Sequence, residues 1–240
     1  MKTWKKVLWV IFISVLFVII GGMTYLHTQA HPPTKQAQQV ARHAQETNDW
    51  LYFPSKNSSK PIIIFYPGAL VEPDSYSLWA QELANAGYPV YLLKMPFDLA
   101  ILAPKSGEKV LTSQTDRNYV VGGHSLGGVM ASRFAKEHPK RLSGVFFLAS
   151  YPDERGRLTT LKIPTLSLTA ENDTVLNHQA YQQAKKYLPI KIEYQEISGG
   201  NHAGFGSYGT QKNDGKSTIN DQNEQVARRI ITWLARKVYQ

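Results

Sequence analysis

The chain has 240 residues, 42% hydrophobic and 19% charged, the proportions of a globular protein with one sizeable core. It has no cysteine, which excludes disulfide scaffolds, thiol nucleophiles, zinc-thiolate sites and iron–sulfur clusters. The net charge of +9 is scattered rather than gathered in a block and no nucleic-acid motif accompanies it, so it points to an anionic surface such as a membrane or cell wall, with no nucleic-acid partner.

The first element is an uncharged run, VLWVIFISVLFVIIGGMTYL from Val7 to Leu26, of the length that crosses a bilayer as a helix. Lys2, Lys5 and Lys6 precede it, so the positive-inside rule leaves the N-terminus in the cytoplasm and sends the remainder outside. Trp4, Trp9 and Tyr25 stand near its ends, where aromatic rings settle at the membrane interface. A cleaved signal peptide is the competing reading, with Val7 to Ile20 as its apolar core and Thr28 to Ala30 as its cleavage site. Continuation of the apolar run through Gly21 and Gly22 favours an uncleaved anchor. Residues 1–26 are therefore expected to be a cytoplasmic stub and anchor, residues 27–48 a polar juxtamembrane spacer or loosely helical stretch, and residues 49–240 the folded domain. His27, His31 and His43 fall in the spacer at irregular intervals, which suits solvated residues better than metal ligands.

From Trp50 onward, short β-branched or aromatic runs alternate with stretches of helical period. WLYFP and PIIIFYPG read as strands, the second an unbroken apolar run suited to burial on both faces of a sheet. A helix follows through SYSLWAQELANAG, with Asp74 as its expected cap and Gly87 at its close. YPVYLLKM is a strand, and PFDLAILAPKSGEK is a loop or short helix. NYVVGG, SGVFFLASYP, IPTLSLTAEND and IKIEYQEIS read as further strands, with helices in LGGVMASRFAKEHP, NHQAYQQAKKYLP and the closing NDQNEQVARRIITWLARKV. Such alternation predicts a mainly parallel α/β sheet with helices on both faces and ligands at the carboxyl ends of its strands.

Gly123-His124-Ser125-Leu126-Gly127 matches G-x-S-x-G, with a strand before it and a helix after it. A sharp turn there exposes the serine hydroxyl, and positions two residues to either side must lack bulk for strand and helix to approach. A serine hydroxyl is a poor nucleophile without a base, and the later loops supply an acid and a histidine in the order Ser, Asp, His. Asp173 follows the strand in TLSLTAEND, and His202 follows the last strand in SGGNHAGFG. His202 would act as base and then acid, while Asp173 fixes its tautomer. Asp153 and Glu171 are the other acids considered, and a cap for the segment starting at Thr174 is the structural role open to Asp173. His124 would point away from its own serine, His138 sits at a helix end, and His178 is too close in sequence to Asp173 to be its partner from a separate loop. Oxyanion donors are expected from the backbone N–H of Leu126 and, after IIIFYPGAL, from that of Ala69.

The elbow, acid loop and histidine loop, in this order over about Trp50 to Gln240, resemble the α/β-hydrolase superfamily. GGHSLGG, ASYP and GGNHAGFGSYG are similar to a compact bacterial branch grouped with dienelactone-hydrolase-like proteins, here with serine in place of that enzyme's cysteine nucleophile. YPG stands where many members have His-Gly, a departure that touches the donor at Ala69. The resemblance implies an α/β-hydrolase fold and a cofactor-free serine esterase acting through an acyl-enzyme. The short stretch between ASYP and IPTLSL leaves no room for a substantial helical lid, which implies an open site for small or surface-presented acyl esters. Acyl transfer by the same residues, or a non-catalytic cell-envelope binding module, are the alternative functions.

Overall fold

A computed structural model describes residues 3–56 and 59–239. It divides into two compact units, Met1–Ala30 and His31–Gln240. The first is one helix, α1 (Thr3–Thr28), whose 26 residues rise about 39 Å. Every described side chain from Val7 to Phe17 is apolar or a lone serine and is exposed. The side chains of Lys6, Val18, Ile19, Ile20, Met23, Tyr25, Leu26 and His27 lie outside the described residues, as does Lys2. Among the described residues no helix is long and apolar enough to cross a membrane. The span expected from Val7 to Leu26 is accordingly not met there, because its continuous described run ends at Phe17.

The body is an eight-stranded sheet with strands β1 (Gln45–Glu46), β2 (Trp50–Phe53), β3 (Ile62–Tyr66), β4 (Val90–Leu93), β5 (Tyr119–His124), β6 (Leu142–Leu148), β7 (Thr165–Ala170) and β8 (Ile192–Ile197). Their order is β1-β2-β4-β3-β5-β6-β7-β8. β1 and β2 run antiparallel to their neighbours and every pair from β4 to β8 is parallel. Helices α2 (Lys35–Ala41), α3 (Ser77–Asn85), α4 (Gly107–Ser113), α5 (Leu126–Glu137), α6 (His178–Ala184) and α7 (Gln222–Trp233) complete the body.

β3, β4 and β5 are buried at every position because both faces of the sheet are covered. In β3, Ile63 and Phe65 enter one core with Trp79 of α3 and Trp233 of α7, while Ile62, Ile64 and Tyr66 enter the other with Met130 and Phe134 of α5. β8, at the edge, alternates instead and keeps only Ile197 fully buried. No helix stands between β6 and β7, so the carboxyl end of the sheet carries no helical lid there.

Two expectations are corrected. The segment read as a loose spacer folds onto the body from His31: Thr34 caps α2, Ala37 and Ala41 are buried, and the His31 N–H donates to Leu70 O at 2.6 Å. Its small residues at helical spacing carried that signal beneath a polar composition. Asp74 does not cap α3, because a 3-10 turn, Pro73–Tyr76, intervenes with no capping side chain. Between β4 and β5 lie two 3-10 turns, Pro96–Asp98 and Ala100–Leu102, ahead of α4.

Candidate active site

Ser125 occupies the turn between β5 and α5 at φ 50° and ψ −124°, a conformation non-glycine residues avoid. Neighbouring groups over-determine it. The Ser125 N–H donates to Leu148 O at 3.0 Å, and its carbonyl accepts from the Ser150 hydroxyl at 2.6 Å and the Gly128 N–H at 3.0 Å. Gly123 and Gly127 make the geometry possible. A Cβ on Gly123 would stand 2.4 Å from the Gly127 carbonyl carbon, and one on Gly127 would stand 2.1 Å from Tyr66 O and 2.2 Å from Pro67 O. The start of α5 therefore lies directly against the end of β3, where Ala69 begins the next turn.

Neither the Ala69 nor the Leu126 N–H donates to a protein acceptor among the described residues. Both are thus available to an oxygen at the head of α5, where the helix dipole also favours negative charge. Gly68 serves close packing rather than an unusual backbone angle, since a Cβ there would stand 2.9 Å from His124 Nδ1. Its N–H donates to Tyr76 Oη at 2.9 Å, and Tyr76 Oη lies 3.0 Å from His124 Nδ1. The buried phenol O–H needs an acceptor and Nδ1 is the one in reach, which assigns His124 the tautomer protonated at Nε2.

The structure brings Asp173 and His202 together from the loops after β7 and β8. His202 Nδ1 donates to Asp173 Oδ2 at 2.8 Å, and both side chains are almost completely buried. This bond places the ring proton on Nδ1 and leaves Nε2 as an acceptor. The other carboxylate oxygen, Oδ1, accepts from the N–H groups of Val175 at 3.0 Å and Leu176 at 2.8 Å, so Asp173 also closes a turn. The cap of α6 is Asn177, not Asp173. His178 donates from Nε2 to Asp173 O at 2.9 Å, steadying the same loop.

The alternative acids are engaged elsewhere. Asp153 pairs with Arg133 and accepts the Gly156 N–H. Burial would raise its carboxyl, but the Arg133 hydrogen bonds and the Gly156 N–H outweigh that and hold it below the usual range. Glu171 accepts the Gly199 N–H at 2.8 Å. His138 faces Glu108 at 3.1 Å, near the far end of α5 from Ser125.

His124, the residue before the serine, is fully buried with its ring 4.6 Å from that of His202. Burial holds its pKa well below the usual histidine value, and the charge His202 can carry lowers it further. His124 is therefore a neutral wall beside the His202 ring.

Asp214 is the residue that sequence reasoning missed. Its two oxygens accept the N–H of His202 at 3.2 Å and of Ala203 at 2.8 Å, fixing the histidine loop from below. The surrounding strap is tied to both loops: Thr174 Oγ1 donates to Asn213 O at 2.8 Å, Asn172 Nδ2 to Lys216 O at 3.0 Å, and Asn201 Nδ2 to Gly215 O at 2.8 Å. The only sequence signal was a polar, glycine-punctuated stretch directly after His202.

The Alpha/beta hydrolase family model matches residues 62–226, which hold the elbow, the acid loop and the histidine loop. No curated protein matches. The fold is similar to that of the esterase domain of a Rhodothermus marinus protein (TM-score 0.60, 14% identity, covering 79% of this chain and 92% of that one). It is also similar to dienelactone hydrolase from Anabaena variabilis (TM-score 0.59, 14% identity, 79% and 91% covered). Ferulic acid esterase from Streptomyces cinnamoneus gives a TM-score of 0.61 at 16% identity, with 75% and 67% covered. At such identities the likeness is one of fold. With its family model matched across most of the body and the strand order and elbow in place, the chain belongs to the alpha/beta hydrolase family.

Proposed function

We propose that this chain is a membrane-anchored serine hydrolase whose catalytic body lies outside the cytoplasm and which cleaves carboxylic esters through an acyl-enzyme on Ser125. The buried Asp173–His202 hydrogen bond at the carboxyl edge of the sheet carries the reading, beside a serine held at φ 50°. With Nδ1–H engaged by the carboxylate, His202 Nε2 takes the Ser125 proton as Oγ bonds to the ester carbonyl carbon. The resulting oxyanion is received by the N–H groups of Leu126 and Ala69. Collapse breaks the carbon–alkoxide bond as the imidazolium returns its proton to the leaving alcohol. Water then repeats the sequence on the acyl-enzyme, releasing the acid and restoring the serine. The esterase names of the fold's neighbours support an ester substrate.

Support for the anchor comes from α1, whose described side chains from Val7 to Phe17 are exposed and apolar except for Ser14, with Lys5 before that run and no acidic residue in the first turn. Hydrolysis of p-nitrophenyl acetate is expected to fall by about 10⁴-fold or more in Ser125→Ala, and full retention of activity would refute the mechanism. For the location, protease added to intact cells is expected to digest the body; a body protected until lysis would refute it.

A further inference from the structure

Among the described residues of the body, the exposed large apolar side chains are Phe97, Ile101, Leu102, Ile190, Tyr194 and Tyr239. Single exposed hydrophobic residues are ordinary, but three of these fall within six positions after β4, at the edge that carries Ser125. Phe97, Ile101 and Leu102 are 43%, 50% and 56% exposed, while Ala100 between them is completely buried in the core that holds Met130 and Ala131 of α5. The segment is thus seated on the nucleophile helix by its small residue and shows its large ones to solvent.

The backbone holds it that way at a cost. Phe97 and Asp98 both have φ 54°, a region bulky side chains avoid. Asp98 O accepts the N–H of Leu70 at 2.8 Å, and Leu70, itself at φ 58°, directly follows the donor residue Ala69. One end of the segment is therefore bonded to the oxyanion loop and the other packs on the helix that Leu126 opens. Strain of this kind persists where the surroundings impose it, and here it holds three exposed apolar side chains in the segment bonded to the loop of Ala69 and Leu70.

Strand order gives the side of the nucleophile on which this segment lies. His202 must reach the leaving alcohol, and it arrives from the β8 side of β5. The segment after β4 lies on the opposite side of β5, bonded through Asp98 O to Leu70, the residue after the proposed oxyanion donor Ala69. We infer that Phe97, Ile101 and Leu102 form an acyl-chain subsite selecting esters of medium-length apolar acids. This rests on the ester-hydrolase reading above and adds the substrate class to it.

The experiment compares kcat/KM of the full chain on monomeric p-nitrophenyl acetate, butyrate, hexanoate and octanoate. A partly open apolar rim is expected to give a rise of roughly twofold per added methylene, below the about fourfold of complete burial. In Ile101→Ser/Leu102→Ser and in Phe97→Ser the octanoate-to-acetate ratio is expected to fall at least about fivefold. Ile190→Ser, the same kind of change at a 97% exposed residue preceding β8, is expected to keep the ratio. An active enzyme with no chain-length dependence, or rim variants that keep it, would overturn the subsite while leaving the hydrolase reading intact. Rim variants that lose only their binding to anionic phospholipid vesicles would overturn it in favour of surface docking. Absence of turnover at every chain length in the folded protein would instead refute the hydrolase reading itself, and the subsite with it.

Discussion

The two halves of the candidate site are built by different physics. Around Ser125 and Ala69, backbone packs on backbone: Gly123 against Gly127, and Gly127 against the carbonyls of Tyr66 and Pro67. Around Asp173 and His202, side chains hold loops: Asp173 Oδ1 on two N–H groups, Asp214 on two more, and Asn172, Thr174 and Asn201 on the strap between residues 213 and 216. The first half tolerates no added atom, while the second tolerates changes of shape that keep its donors and acceptors. One half should therefore fail by losing the fold and the other by losing rate.

The sharpest break of that contrast is Asp173→Asn. Asparagine keeps an oxygen for the Val175 and Leu176 N–H groups but loses the carboxylate facing Nδ1–H. Esterase kcat is expected to fall by about 10³- to 10⁴-fold, with a urea midpoint close to wild type. Asp173→Ala removes the turn acceptor as well and should cost about a further 1 kcal/mol of stability in the same urea titration. Gly127→Ala should do the reverse. Its Cβ meets two backbone oxygens near 2.1 Å, so a loss of about 3 kcal/mol or more of folding free energy is expected before any effect on chemistry is measured.

Asp214→Ala probes the histidine loop without touching a reacting atom. It leaves the His202 and Ala203 N–H groups without their acceptors, and kcat is expected to fall about 10- to 100-fold with KM little changed. Asp214→Asn, which retains one carbonyl acceptor, should recover part of that loss.

The smallest effect is the pH dependence of stability. His124 has a folded pKa lowered by burial, so below its ordinary value of 6.5 the unfolded chain binds a proton that the folded chain refuses. Its contribution to stability is complete above that pH and is lost as pH falls below it, by up to about 1.4 kcal/mol per pH unit. His31, whose pKa is also lowered by burial, acts in the same direction. The melting temperature should fall between pH 7 and pH 5, and His124→Gln should fall less steeply over the same interval.

The same contrast explains what could be read from the sequence. An all-apolar IIIFY announces a strand buried on both faces, and glycines two positions either side of a serine announce a turn that excludes side chains, because both are local statements about volume. The placing of Ser125, Asp173 and His202 after β5, β7 and β8 likewise follows from the edge at which a parallel sheet opens. Asp214 could not be found that way. Its partners are backbone N–H groups, present at every non-proline residue, and its place depends on the path of a loop through space. The seating of α2 on the body was obscured for a similar reason, since its contact is carried by the small or short side chains of Ala37, Val40 and Ala41 and the other residues of the helix are polar. Phe97 and Asp98 gave no sign of positive φ, which tertiary bonding imposes there.

The central claim is that Ser125 is a nucleophile activated by His202. Reaction of the folded chain with a fluorophosphonate probe, followed by peptide mapping, tests it without knowledge of the natural substrate. The expected result is one adduct, on Ser125, abolished in Ser125→Ala and slowed by orders of magnitude in His202→Ala. Labelling at another residue, or no labelling of a folded chain that shows a cooperative melting transition, would contradict it.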